Sequence, residues 1–218
     1  MKNFDTVIFD LDGTLLDTLD DLAGSVNNAL EKYGFPCRTR DEVRRFVGNG
    51  VERLVTLCVP GGAANEKYQD CLADFKRHYS ENMRNRTAPY DGIPALLRRL
   101  KAEGFKRAVV SNKFDAAVKA LCRDYFGEDI ELAIGESKET ARKPAPDTAL
   151  KALRELGSVP ARTVYVGDSE VDAETARNAG LVFIGVTWGF RDRELLEQKG
   201  ADFVIDRPEE LFQILRLP

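Results

Sequence analysis

The chain has 218 residues, of which 43% are hydrophobic and 31% are charged, a composition typical of a globular protein with one sizeable core. Its 32 basic and 36 acidic side chains give a formal net charge of −4 without any polybasic run, so we expect no nucleic acid and no membrane as a partner. The first apolar run, residues 7–9, is too short for a signal-peptide core or a membrane span. Four cysteines without a close pair, and one histidine, argue against a zinc site and favour free thiols in a cytoplasmic, reducing setting.

Short β-branched and aromatic runs recur along the chain and predict buried strands. They lie at residues 6–9, 108–110, 132–134, 163–166, 182–186 and 203–205. Because these runs are apolar at nearly every position, they fit a parallel sheet covered on both faces. Helices are predicted between most of them, at residues 93–102, 116–122, 147–156 and 171–179. The alternation predicts an α/β fold with a doubly wound parallel sheet.

The stretch from about residue 15 to residue 83 interrupts this alternation, since it shows helical periodicity and no predicted strand. Apolar side chains fall on one face at spacings of three and four residues, first from Leu19 to Tyr33 and again from Tyr68 to Tyr79. We therefore predict an α/β core of residues 1–14 and 88–218 with an inserted α-helical domain of residues 15–87.

Two aspartates follow the first predicted strand. Ligands of a doubly wound sheet bind outside the carboxyl ends of its strands. Asp10 and Asp12 are spaced i and i+2 at such an end, so their carboxylates can share a site if Leu11 turns away. An ordinary turn is the alternative, because the Asp-Gly pair at residues 12 and 13 is a strong turn signal.

Two further aspartates follow the predicted strand at residues 163–166. Asp168 and Asp172 lie four residues apart across a helix start and can face one point. Carboxylate oxygens are the ligands that Mg²⁺ prefers, and it keeps several waters, so two or three of them suffice. Helix capping is the alternative. Capping explains one aspartate well, but it explains two acidic clusters after two separate strands less well.

Ser111, Asn112 and Lys143 complete the set of candidates. Ser111 and Asn112 bring a hydroxyl and backbone N–H groups to a strand end where a helix begins, which suits an anion, although a simple helix cap is the alternative. Lys143 stands just before the helix that opens near residue 147, where a solvated surface charge is the alternative. Taken together, these segments suit phosphoryl transfer, which needs a nucleophile, a cation and donors that hold the transferred group.

The order Asp-x-Asp-Gly-Thr, Ser-Asn, Lys-Pro and Gly-Asp-Ser-x-x-x-Asp resembles the four motifs of the haloacid dehalogenase (HAD)-like hydrolase superfamily. The helical insertion after the first motif resembles the cap domain of that family, so the resemblance covers nearly the whole chain. It implies that Asp10 is the nucleophile and Asp12 the general acid and base. It also implies that Ser111 and Lys143 are catalytic and hold the phosphoryl group together with Asn112, and that Lys143 pairs with Asp10.

The resemblance further implies a Mg²⁺ cofactor, held by Asp10, the backbone oxygen of Asp12, and Asp168, with Asp172 supporting it through water. Asp12 distinguishes the chain from the haloacid dehalogenases proper and from the phosphonoacetaldehyde hydrolases, which lack this aspartate. Sugar-phosphate mutases with a similar cap usually carry a histidine near its start, which this chain lacks. A phosphatase that acts through an aspartyl-phosphate remains.

Among the phosphatases, the chain is similar to the bacterial phosphoglycolate phosphatases at residues 46–50, 172–180 and 185–189. The loop formed by Gly48, Asn49 and Gly50 joins two predicted helices, so either it contacts the substrate or it is an ordinary helix–helix turn. We expect a small phosphorylated metabolite, phosphoglycolate-like, as the substrate, and a monomer or homodimer. Pyrophosphatase, 5′-nucleotidase and, less favoured, phosphotransferase activity remain alternatives. The complete carboxylate set argues against a binding protein that keeps only the fold.

Overall fold

The computed structural model describes residues 4–138 and 140–216. The chain divides into two compact units, which we call the α/β unit (Met1–Leu16 with Pro89–Pro218) and the helical unit (Asp17–Ala88). Within the described residues, none of the helices combines the length and the hydropathy that crossing a lipid bilayer requires.

The described part of the chain contains one parallel six-stranded sheet and a two-stranded sheet. The strands are β1 (Thr6–Phe9), β2 (Leu16–Asp17), β3 (Ala88–Pro89), β4 (Lys106–Phe114), β5 (Leu132–Glu136), β6 (Thr163–Gly167), β7 (Val182–Val186) and β8 (Phe203–Ile205). The large sheet has the order β5-β4-β1-β6-β7-β8, and β2 pairs with β3. The α/β fold and the parallel sheet are therefore confirmed, as are the predicted bounds of β1, β7 and β8.

One expectation about strands is wrong. The sequence predicts no strand between residues 15 and 83, yet Leu16–Asp17 forms β2. Two residues carry no periodicity, and β2 exists because it pairs with β3, about seventy residues later in the chain. A partner so distant in sequence cannot be found from a local pattern.

In the large sheet, the strand order reverses direction at β1. The chain goes from β1 to β4 and β5 on one side, and then to β6, β7 and β8 on the other. Phe9, the last residue of β1, is level with Val109 of β4 and Val166 of β6. Because all three strands are parallel, the segments that follow Phe9, Val109 and Val166 come out at the same edge, where doubly wound sheets bind their ligands.

The helices of the helical unit are α1 (Leu19–Lys32), α2 (Arg40–Phe46), α3 (Val51–Cys58) and α4 (Tyr68–Asn82). Those of the α/β unit are α5 (Ile93–Ala102), α6 (Asp115–Phe126), α7 (Asp147–Leu156), α8 (Glu170–Ala179), α9 (Arg193–Gln198) and α10 (Leu211–Leu215). The predicted bounds of α5 and α7 are confirmed. Gly157 and Gly180 end α7 and α8 in the left-handed conformation that glycine adopts without steric cost.

The helical unit has its own apolar interior. The apolar faces of α1 and α4 are buried as their spacing predicts, and the rings of Phe75 and Tyr79 stack with their centroids 5.7 Å apart. Burying a side chain of this size stabilises a fold by about 1.5–3 kcal/mol. The helical unit, Asp17–Ala88, can therefore form its own hydrophobic core without contributing a strand to the large sheet.

Two glycines give opposite expectations for stability. At exposed Gly24, inside α1, an added methyl group meets no atom within 4 Å, so Gly24→Ala should raise the free energy of unfolding by about 0.5–1 kcal/mol. At Gly135, in β5, the same methyl group would overlap the backbone of Asp115 at the start of α6, so Gly135→Ala should lower it by about 1–3 kcal/mol. Denaturant unfolding measures both, and changes of the same sign would contradict the packing described.

Candidate active site

Three buried aspartates meet at the carboxyl ends of β1 and β6. Asp10 follows β1, and its backbone N–H donates to the carbonyl of Val166 at 2.9 Å. Asp168 follows β6 directly, and Asp172 lies in the first turn of α8. Each of the three offers a carboxylate oxygen, and these oxygens lie within 4.8 Å of one another. The arrangement can bind a metal ion, and we call it the carboxylate cluster.

Lys143 is not a solvated surface charge, because it is only 3% exposed. Its Nζ lies 2.8 Å from Oδ1 of Asp10 and 2.8 Å from Oδ1 of Asp172. It also donates to the hydroxyl of Tyr165 at 3.2 Å. Burial by itself would lower the pKa of Lys143, but Asp10 and Asp172 outweigh it and hold this pKa well above its ordinary value. Lys143 therefore carries a permanent positive charge against the carboxylate cluster.

The electrostatics of the cluster favour a cation. Burial, together with the charges of Asp172 and Asp12, raises the pKa of Asp10 from 3.8 to about 7 against the opposing effect of Lys143. Burial, with the charges of Asp172 and Asp10, also raises the pKa of Asp168 well above its ordinary value. Such shifts mean that the carboxylates are short of positive charge. A divalent ion would supply that charge.

Residues from other segments hold the aspartates in place. Asp168 accepts hydrogen bonds from the Thr14 hydroxyl at 3.1 Å and from the Phe190 backbone N–H at 2.7 Å. Asp172 accepts from the Ser169 hydroxyl at 2.6 Å while its other oxygen contacts Lys143. Asp172 thus completes the capping box of α8, whose N-cap is Ser169, and it also belongs to the carboxylate cluster. That it supports a metal ion stays a prediction.

Two glycines let the loops approach Asp168 closely. Gly13 has φ of 82°, and a Cβ atom there would overlap the carboxylate of Asp168. A Cβ atom at Gly189 would overlap both Asp168 and the carbonyl oxygen of Gly13. The neighbouring Trp188 donates from its indole N–H to the carbonyl of Thr14 at 3.0 Å, which ties the loop after β7 to the loop after β1.

Asp12 does not belong to the carboxylate cluster. Its Oδ1 lies 3.0 Å from Nζ of Lys113, near the end of β4. Lys113 directly follows Ser111 and Asn112, and no role for it is predicted from the sequence. The sequence carries no signal for this contact, because the predicted strand ends at residue 110 and only the structure extends β4 past a buried Lys113.

Ser111 and Asn112 are buried at the same end of β4. The Ser111 hydroxyl accepts from the backbone N–H of Lys113 at 3.2 Å, and the Asn112 side-chain amide donates to the carbonyl of Lys143 at 3.0 Å. The amide of Asn112 thereby fixes the loop that carries Lys143. Whether Ser111 and Asn112 contact phosphate stays a prediction.

Gly48, Asn49 and Gly50 lie in the helical unit between α2 and α3, and Gly50 is the N-cap of α3. Gly48 and Gly50 have φ of 124° and 82°, so both glycines are needed for the backbone of this loop. Their contact with a substrate stays a prediction.

Comparison with known proteins identifies the family to which the chain belongs. Residues 7–186 match the family model of haloacid dehalogenase-like hydrolases. A phosphoglycolate phosphatase from Aquifex aeolicus is 33% identical, over 96% of this chain and 95% of its own. The N-acetylmuramic acid 6-phosphate phosphatase of Pseudomonas aeruginosa is 30% identical, over 96% of this chain and 93% of its own.

A solved structure supports the same relationship. The crystal structure of a predicted phosphoglycolate phosphatase from Haemophilus somnus is 28% identical and superposes with a TM-score of 0.92, over 99% of this chain and all of that one. The chain therefore belongs to the haloacid dehalogenase-like hydrolase family, and within it this enzyme resembles the phosphoglycolate phosphatases, which are phosphoric monoester hydrolases.

Proposed function

We propose that the enzyme is a Mg²⁺-dependent phosphatase that hydrolyses a small, phosphoglycolate-like phosphate monoester by way of a phosphoryl group carried on Asp10. The observation that carries this proposal is the buried contact between Asp10 and Lys143 beside Asp168 and Asp172. A carboxylate held by a fixed ammonium group next to a cation-binding cluster has what in-line attack on phosphorus needs.

The residues present fit a divalent cation, because three buried carboxylates converge and burial and mutual repulsion raise the pKa values of Asp10 and Asp168. Asp10, Asp168 and the backbone oxygen of Asp12 would hold the ion, with Asp172 in support. When bound, Mg²⁺ would neutralise charge on the phosphoryl oxygens.

In the first half of the reaction, a carboxylate oxygen of Asp10 attacks phosphorus, and the bond from phosphorus to the ester oxygen breaks. Asp12 enters this step as the acid and gives its proton to the departing oxygen. Ser111, Asn112 and Lys143 hold the phosphoryl oxygens by donating hydrogen bonds. The product of this half is an alcohol, with the phosphoryl group bonded to Asp10.

In the second half, Asp12 acts as the base. It takes a proton from a water molecule as the oxygen of that water attacks phosphorus. The bond between phosphorus and Asp10 breaks, which yields inorganic phosphate and returns Asp10 to its ionised form. Asp12 is again protonated, so no other proton donor is needed for the next cycle.

We further propose that the helical unit acts as a lid and that its loop at residues 48–50 contacts the substrate. The two crossings between the units are short, and they pair as β2 and β3. Within the helical unit, the carboxylate of Asp21 accepts from the backbone N–H groups of Arg86 and Thr87 at 2.9–3.0 Å, which ties the returning chain to α1. Lids of this kind exclude water and restrict access to small substrates.

A panel of phosphate compounds tests the reaction and its substrate. It should contain 2-phosphoglycolate, a sugar phosphate, a 5′-nucleotide, pyrophosphate and a folded phosphoprotein, with released phosphate as the readout. We expect phosphate release without an added acceptor, the highest kcat/KM for a small monoester, and a far lower kcat/KM for the phosphoprotein.

Asp10→Asn should lower turnover by about 10⁴-fold, or about 5 kcal/mol of barrier, because the attacking charge is lost. Retention of a tenth of the activity would contradict the role of Asp10.

Melting in the presence of ligands tests the cofactor. Mg²⁺ at a hundredfold excess over Kd should stabilise the fold by about 2.7 kcal/mol, and beryllium fluoride should add to this by mimicking the phosphoryl group on Asp10. Asp168→Ala should abolish most of the magnesium response. The matched variant Ser111→Ala should keep that response and weaken the effect of fluoride. A chelator-treated enzyme that stays fully active would contradict the requirement for metal.

The pKa of Asp10 predicts how magnesium binding depends on pH. Since the pKa in the fold is about 7 and the ordinary value is 3.8, the uncharged form is favoured in the metal-free fold below neutral pH. Mg²⁺ must displace that proton, so its affinity should fall by about tenfold for each pH unit below 7. The magnesium-induced rise in melting temperature should therefore be small at pH 5.5 and large at pH 8. A magnesium-induced rise of equal size at both pH values would contradict the proposal that Mg²⁺ displaces a proton from Asp10.

A further inference from the structure

The register of the sheet brings Lys113 to the loop that follows β1. Phe9 is level with Val109, and β4 continues past the end of β1 to Phe114. The last residues of β4 therefore run beside the segment that carries Asp10 and Asp12. Here the Lys113 ammonium lies 3.0 Å from Oδ1 of Asp12, with the two side chains 3% and 12% exposed.

The two aspartates of the first motif therefore pair with two different lysines. Asp10 contacts Lys143 and belongs to the carboxylate cluster, whereas Asp12, two residues on, contacts Lys113 and lies outside that cluster. A buried ammonium group is costly unless it is paired, and so is a buried carboxylate. Each ion therefore stabilises the position of its partner.

Without Lys113, the Asp12 carboxylate would lose its paired positive charge, and a conformation that brings it near another cation would become favourable. The backbone oxygen of this same residue would help to hold the proposed Mg²⁺, so the freed side chain would be drawn to the cation. A carboxylate turned in that way no longer faces the ester oxygen. A misplacement of about 1 Å can cost about 10²-fold in rate.

We propose that Lys113 is a positioning residue that holds the Asp12 carboxylate apart from the carboxylate cluster, so that Asp12 moves protons and does not ligate the cation. This inference rests on the proposed function. Lys113 keeps its own proton throughout: in the first step the proton passes from Asp12 to the leaving oxygen, and in the second from water to Asp12. The role accounts for a buried lysine that phosphate binding by Lys143 and Ser111 does not use.

The first test compares leaving groups. Lys113→Met should lower kcat by about 10²-fold for an alkyl phosphate, which needs the proton, and by less than about tenfold for formation of the phosphoenzyme from a nitrophenyl ester. KM should change by less than about threefold, and Lys113→Arg should recover part of kcat. Lys106→Met, at the other end of β4, is the matched control and should leave both rates unchanged. Equal losses with both leaving groups would overturn the proposal.

A double-mutant cycle separates positioning from substrate binding. If Lys113 acts through Asp12, Lys113→Met should change kcat by less than about threefold in an Asp12→Asn background. If Lys113 instead holds the substrate, its removal should raise KM in both backgrounds, and that result would overturn the proposal.

Melting provides a test that does not depend on catalysis. Lys113→Met leaves the Asp12 charge unpaired near the cation site, so Mg²⁺ should raise its melting temperature by more than it raises that of wild type. Adding Asp12→Asn should abolish this excess and recover stability, because no unpaired buried charge remains. If Lys113→Met fails to fold, Lys113→Gln and the double variant serve in its place.

These arms also separate the inference from the proposed function. A wild-type enzyme that releases phosphate from no ester would refute the phosphatase, while the melting comparison would still report the pairing of Lys113 with Asp12. Conversely, an active wild type with an identical magnesium response in Lys113→Met and in the double variant would refute the positioning role alone.

Discussion

The site depends on one electrostatic constraint, which is that like charges lie close together at the edge of a parallel sheet. The carboxylates concerned are those of Asp10, Asp168 and Asp172, which are buried, and that of Asp12, which is partly buried. Loss of hydration and mutual repulsion oppose their ionisation, and the raised pKa values of Asp10 and Asp168 express that cost. The ammonium groups of Lys143 and Lys113 offset part of it. With all six groups ionised, two negative charges are left, which is the charge that a divalent cation neutralises.

The same constraint explains several residues that contribute no chemistry of their own. The carboxylate of Asp168 is fixed by a hydroxyl, a backbone N–H and two closely packed loops, and a side chain at Gly13 or Gly189 would push those loops away. Fixed donors around a carboxylate keep it from turning toward a neighbouring lysine or away from a cation. The glycines are therefore part of the support for the site, although no glycine can bind a metal through a side chain.

The residues proposed to be catalytic do not by themselves determine the substrate. Two relatives of similar identity, 33% and 30%, match this chain over nearly the same share of its length, yet one is a phosphoglycolate phosphatase and the other an N-acetylmuramic acid 6-phosphate phosphatase. Residues that bind the phosphoryl group would contact only the part that all phosphate esters share. Discrimination between substrates must come from residues that contact the rest of the molecule.

Much of the fold could be read from the sequence alone. A strand that is buried on both faces has an unbroken apolar run, and a helix that is buried on one face has apolar residues with a period of 3.6. These patterns predicted the strands at residues 6–9, 182–186 and 203–205 and the helices at residues 93–102 and 147–156. The candidate carboxylates could be named for a similar reason, since parallel strands bring their carboxyl ends to one edge. In each case a local pattern reports a local cause.

Other features were decided only in three dimensions. Strand β2 exists through a partner about seventy residues away, and Lys143 is a buried ion rather than a surface charge because Asp10 and Asp172 surround its ammonium group. Lys113 is paired with Asp12 because β4 extends several residues beyond the end of β1. This depends on the register between two strands about a hundred residues apart in the chain. The sequence by itself determined which charged groups are present and on which elements they lie. The tertiary structure decided which charge meets which, because pairing energies depend on distances and burial that no spacing along the chain contains.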